Sequence, residues 1–165
     1  MRKAVTSVSM KELSSVISGI VSSGDDVTLC VTGYSMLPLW RDRHNNVVLT
    51  ACDPSRLKKF EIPLYRRKNG QYVLHRIIKV YDDCFDLAGD AQTEIERSLP
   101  KSCVIAVVKG YYNERGKYVS CDSFRYRLYS RLWTAILPLR KYPLLLYKKT
   151  VLRLRLRNDR KKTDM

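Results

Sequence analysis

The chain has no apolar stretch near the ~20 residues that a membrane helix needs; its longest apolar runs are a few residues. The N-terminus, Met1-Arg2-Lys3-Ala4-Val5, passes straight into Thr6, Ser7, Ser9, Lys11 and Glu12, so it lacks the apolar segment of a signal peptide. Cysteine is scattered. Cys30, Cys52, Cys84, Cys103 and Cys121 are odd in number and include no Cys-x-x-Cys, which argues against a disulfide framework and a zinc site. Reduced thiols and a cytoplasmic setting are the expectation, with no cofactor or metal. No repeat recurs at a fixed period. Acidic residues are few: 16 Asp and Glu face 31 Lys and Arg, a net charge of +15. The imbalance is local. Residues 1–124 hold 18 basic and 14 acidic side chains, whereas residues 125–165 hold 13 and 2. That end of the chain is a polycation suited to an anionic partner.

What is present describes one domain. The chain has 165 residues, 45% of them hydrophobic, enough for a core without staples. Met10, Leu13, Val16, Ile17, Ile20 and Val21 predict an amphipathic helix over 8–22, capped by Ser9 with Glu12 and stopped at Gly24. Short strands follow over 27–32 and 46–50. A hairpin over 62–81 turns at Asn69-Gly70, residues 84–87 pair back, and a hairpin over 102–120 turns at residues 113–116. These signals predict a mainly β fold: a compact, coiled antiparallel β domain with one N-terminal helix and a basic helical C-terminal tail. The expected divisions are 1–24, 25–122 and 123–165. Pro138 and Pro143 interrupt the tail, and residues 144–157 are read as helix.

Three segments carry reactive side chains. Thr32-Gly33-Tyr34-Ser35-Met36-Leu37-Pro38 presents a serine on a proline-limited turn. Tyr72-Val73-Leu74-His75-Arg76-Ile77 places a histidine in an apolar strand, where its ring needs a hydrogen-bond partner. Leu87-Ala88-Gly89-Asp90 ends a strand in an acid. Each has a plainer reading: a surface turn, a satisfied core histidine and a turn-forming Asp. His44, in a polar turn, reads as solvated. Together Ser35, His75 and Asp90 supply a nucleophile, a base and an orienting acid, because serine is too weakly acidic to attack unaided and imidazole titrates near neutrality.

Ser35-Met36-Leu37-Pro38, Leu57 to Arg66, His75-Arg76-Ile77 and Gly89-Asp90, in that order, resemble the boxes of the serine peptidases that unite signal peptidase I with the LexA-like self-cleaving repressors. The resemblance spans about residues 25–120. It implies a coiled β domain with Ser35 as nucleophile on a groove for an extended peptide. His75 stands in the place of a general-base lysine, as in the archaeal and endoplasmic-reticulum branch, and Asp90 is the acid of the Gly-Asp box. Gly33 stands where many signal peptidases carry a hydroxyl donor for the oxyanion, which leaves more of that load on the Ser35 N–H. Phe60-Glu61 replaces a Gly-Asp pair. A membrane anchor, a helix-turn-helix and a self-cleavage site are not found.

The expected function is that of a serine endopeptidase acting on an extended precursor or leader peptide, with activity rising through an imidazole pKa near ~6.5. The alternative is a non-catalytic binding or regulatory module of the same fold. In the first reading the tail, with Tyr126, Tyr129, Trp133, Tyr142 and Tyr147 among its cations, is expected to contact an anionic inner-membrane surface or an acidic partner through residues 125–162, and in the alternative it binds lipid or nucleic acid. Nucleic acid is the less favoured partner, because no recognition motif accompanies the charge.

Overall fold

Short β-branched and aromatic segments separated by turn residues build two antiparallel sheets. The computed structural model describes residues 17, 19–21, 23–142 and 145. Its strands are β1 (Val27–Cys30), β2 (Asn46–Thr50), β3 (Pro63–Arg66), β4 (Tyr72–Leu74), β5 (Arg76–Val80), β6 (Cys84–Ala88), β7 (Glu96–Pro100), β8 (Val104–Tyr112) and β9 (Tyr118–Ser120); one long helix, α1, spans Phe124–Ala135. The first sheet runs β1-β2-β8-β3-β4, with β9 also paired to β8, and the second runs β5-β6-β7. Strand β8 is the spine of the first sheet. Its Val107 faces Thr50 of β2 on one side and Pro63 of β3 on the other, and bulges in both ladders let the sheet curl.

Most strand expectations hold. The β3–β4 hairpin turns at Asn69-Gly70, with Gly70 at φ 84°, and β8–β9 closes over residues 113–117. The strand expected over 72–81 is interrupted. Leu74 ends β4 in the first sheet, Arg76 begins β5 in the second, and His75 is the residue between them. Strand β7 was not foreseen. Only Leu99 in it is buried, and Ser98 has φ 54°, so it shows no clean alternation of apolar and polar residues.

Each sheet has its own apolar cluster. Trp40, Val47, Leu49, Ile62, Leu64 and Ala106 fill the first, and Tyr65, Ile77, Phe85 and Leu87 fill the second. Ile17 and Val21 join the first cluster, and the Gly24 N–H closes on Val21 O at φ 89°, as expected for the end of the N-terminal helix. Ser9, Glu12 and the start of that helix lie outside the described residues, as does the helix expected over 144–157 apart from Leu145.

Helix α1 is capped by Ser123, whose Oγ accepts from the Tyr126 N–H, and it is not a detached tail. It buries Tyr126, Ser130 and Thr134 against the β body. The expectation that Tyr126, Tyr129 and Trp133 would serve a membrane is corrected here: Tyr126 is buried, and the other two turn toward Asp90. Among the described residues no helix is long and apolar enough to cross a membrane.

Candidate active site

The chain leaves β1 and folds into a tight loop that carries Ser35. Gly33 adopts φ 91°, a conformation that favours glycine, and its N–H donates to Asp42 Oδ1 at 2.8 Å. Met36 and Trp40 anchor the loop in the core, and the Ala91 N–H donates to Ser35 O at 2.8 Å. Ser35 is thus pinned from below by its apolar neighbours and from the side by the 89–92 loop, and it stays half-buried.

His75 is buried at the crossing between the sheets. Its Nδ1 lies 3.1 Å from Tyr65 Oη, and the Tyr65 hydroxyl donates to Glu96 Oε2 at 2.8 Å. A phenol has one proton to give. With that proton committed to Glu96, the phenol oxygen accepts from His75, which assigns the proton to Nδ1 and leaves Nε2 as the free base. Arg67 completes the chain, its Nη2 donating to Glu96 Oε2 at 2.7 Å. Burial raises the affinity of Glu96 for its proton, but the hydrogen bonds from Arg67 and Tyr65 outweigh it and hold the carboxyl below its ordinary range. Burial and the Glu96 hydrogen bond push the Tyr65 phenol upward. Burial, with Arg67 adding to it, lowers His75 to about 4. The imidazole therefore rests neutral at pH 7.

Nε2 points toward the Ser35 loop. A Cβ built on Gly89 would stand 2.5 Å from Ser35 O and 3.1 Å from His75 Nε2, so both flank the same point. No hydrogen bond joins Ser35 Oγ to the imidazole among the described residues. Both residues line a groove of about 410 Å3 whose walls are residues 29–33 and 72–75. Those walls are the ends of β1 and β4, the two outer strands in the order of the first sheet, and the residues that follow each.

Asp90 is placed otherwise than expected. It is fully buried, and its carboxylate holds Arg76 in a fork: Nε to Oδ1 at 2.9 Å and Nη2 to Oδ2 at 2.7 Å. The acid linked to His75 Nδ1, through Tyr65, is Glu96. Arg76 also donates to Phe60 O and Ser130 Oγ. Burial alone would weaken the hold of Arg76 on its proton, and Asp90 more than restores it. The Trp133 Nε1–H donates to Asp90 O, and Arg140 donates to Gly89 O and Gln92 O. Residues 124–140 therefore buttress the loop that touches Ser35 and His75. Phe60 has φ 82°, where glycine is favoured, and its carbonyl serves Arg76.

Sequence reasoning brought Ser35 and His75 to one groove and missed Tyr65, Glu96 and Arg67. Tyr65 lies in the segment from Leu57 to Arg66, whose residues carried no assigned role, and Glu96 lies on the strand whose pattern is weakest. His44 is exposed, as expected. No family model, curated protein or solved structure matches this chain.

Proposed function

We propose that the protein is a serine endopeptidase of the fold shared by signal peptidase I and the LexA-like repressors. The observation that carries the reading is the orientation of His75, whose free Nε2 faces the Ser35 loop while Nδ1 is tied through Tyr65 to an ionised Glu96. His75 and Ser35 also line the same groove. In the proposed reaction an extended peptide lies between the edges of β1 and β4, where strand-like pairing can hold it. Ser35 Oγ attacks the scissile carbonyl as His75 Nε2 takes its proton. The same proton passes to the leaving amine, and water repeats the cycle on the acyl-enzyme. The imidazolium that forms in each step is stabilised by its Nδ1–H bond to Tyr65 and by Glu96 behind it. Asp90 acts one layer out, fixing Arg76, while Trp133 and Arg140 hold the carbonyls of the 89–92 loop.

The alternative, a non-catalytic module of the same fold, draws on the missing hydrogen bond between Ser35 Oγ and His75. Catalytic hydrogen bonds often tighten only with substrate bound, so this separation does not favour that alternative. Labelling with a fluorophosphonate separates the two. Wild type is expected to react at Ser35, with labelling lost in Ser35→Ala and strongly slowed in His75→Ala. A wild-type protein that is folded but inert to the probe, and that leaves extended peptides with small side chains uncut, would refute the peptidase reading.

A further inference from the structure

Helix α1 is built inside out. A surface helix ordinarily turns its apolar stripe to the core and its polar face to water. Here Ser130 and Thr134 are buried with Tyr126, and Ser130 meets the Arg76 guanidinium at 2.7 Å. The spacing of four that joins Phe124, Leu128 and Leu132 places them on the opposite face, 78%, 45% and 60% exposed. Beyond the helix Leu139, Tyr142 and Leu145 are also exposed. An apolar stripe that the fold itself does not use marks a surface for something else.

The flanks of the stripe say what that is. Arg125 borders one side and Arg127 and Arg131 the other, all three exposed, and the helix carries no acidic residue. On the Arg127 and Arg131 side a cavity of about 490 Å3 opens between the helix and the β body, and Lys58 and Lys59 stand on its far wall. Its two acids are Glu61, which accepts from the Lys58 backbone N–H, and Asp122 at the foot of the helix. Apolar side chains at the centre with cations on both sides are complementary to a bilayer interface, where the chains enter the acyl boundary and the cations meet anionic headgroups.

We infer that the outer face of α1, centred on Phe124, Leu128 and Leu132 and edged by Arg125, Arg127 and Arg131, seats the protein in the plane of an anionic membrane. This surface does not depend on Ser35 or His75, so it stands or falls apart from the peptidase reading. It also revises which residues make the contact, since Tyr126, Tyr129 and Trp133 face inward and Phe124 and the leucines face outward.

The test is co-sedimentation of the full chain with vesicles of equal parts phosphatidylglycerol and phosphatidylcholine, and with phosphatidylcholine alone, at low and high salt. Wild type should bind the anionic vesicles, more weakly as salt rises, and retain part of its affinity in high salt through the apolar stripe. Phe124→Ser and Leu132→Ser should each lower affinity about tenfold at both salt levels, since each removes a large apolar side chain from the interface. Arg127→Gln with Arg131→Gln should lower it at low salt only. These side chains are exposed, so thermal melting of the variants should match wild type; Leu128→Ser is the substitute should either serine variant melt early. Binding unchanged in the serine variants would overturn the proposal, because the cations elsewhere in residues 125–165 would then account for it. Equal binding to both vesicle types, or a lipid-free dimer that the serine substitutions dissociate, would overturn it as well, the latter in favour of a second copy as the occupant.

Discussion

His75 should make the protein acid-sensitive in a calculable way. In the unfolded chain its imidazole titrates near its ordinary value of 6.5, whereas burial lowers it to about 4 in the fold. The folded-state pKa is depressed, so the contribution to stability is complete above the unfolded pKa and is lost as pH falls from 6.5 toward 4. At about pH 5 the unfolded ring is almost wholly protonated and the folded ring is not, a gap of about 1.5 pH units or about 2 kcal/mol. Near pH 4 the loss approaches its limit of about 3 kcal/mol. Glu96 also contributes acid sensitivity, because its carboxyl is held low in the fold. The comparison must therefore be with a variant that keeps Glu96 and lacks the titration. His75→Gln does so, and its amide N–H can still reach toward Tyr65. Urea unfolding of both proteins, at about pH 7.5 and about pH 5, measures the effect. The stability gap between wild type and variant should close by about 2 kcal/mol in favour of the variant at the lower pH. A gap that is constant over this range would show that the folded ring is not held neutral, and the assignment of Nε2 as a free base would fail with it. The same shift moves the activity profile: the acid limb should lie well below the ~6.5 of an unperturbed imidazole, so turnover should persist at pH values where an exposed histidine base is already silenced.

The other expectations concern neighbours of that ring. Gly89→Ala would place a Cβ 2.5 Å from the Ser35 carbonyl oxygen, a backbone atom that is itself held by the Ala91 N–H. Overpacking of about 1–3 kcal/mol and about a hundredfold loss of fluorophosphonate labelling through displacement of the serine loop should follow, and normal labelling would contradict the packing. Tyr65→Phe removes the acceptor for the Nδ1–H and should cost about 1–3 kcal/mol; nitrogen chemical shifts of His75 should move from one Nδ1–H tautomer toward a mixture, a change that a purely apolar role of the ring would not produce. Asp90→Asn should destabilise by about 3–5 kcal/mol by leaving Arg76 buried against a neutral partner, and a melt equal to wild type would sink the assigned pairing. A chain ending at residue 122 should lose cooperative unfolding, because it strips Ser130 from Arg76 and Trp133 from Asp90.

Local signals in the chain determined the strand-rich body, the Asn69-Gly70 hairpin, the Gly24 stop and the candidates Ser35 and His75, because turn residues and alternation act over a few positions. The inside-out character of α1 was not legible. Leu128 and Leu132 stand at helical spacing, but which face meets the body depends on what the body offers, and the body offers a buried Arg76–Asp90 pair that demands polar partners. Only the buried-pair geometry turned Ser130 and the tyrosines inward and the leucines out. Likewise the sequence supplied an acid after Gly89, and tertiary structure spent it on Arg76. The acid that reaches the imidazole came from β7, 21 residues beyond His75, a strand whose alternation is too weak to announce it. Hydrogen-bond partners are chosen by proximity across sheets, and proximity across sheets is set by burial summed over the whole chain rather than by any segment of it.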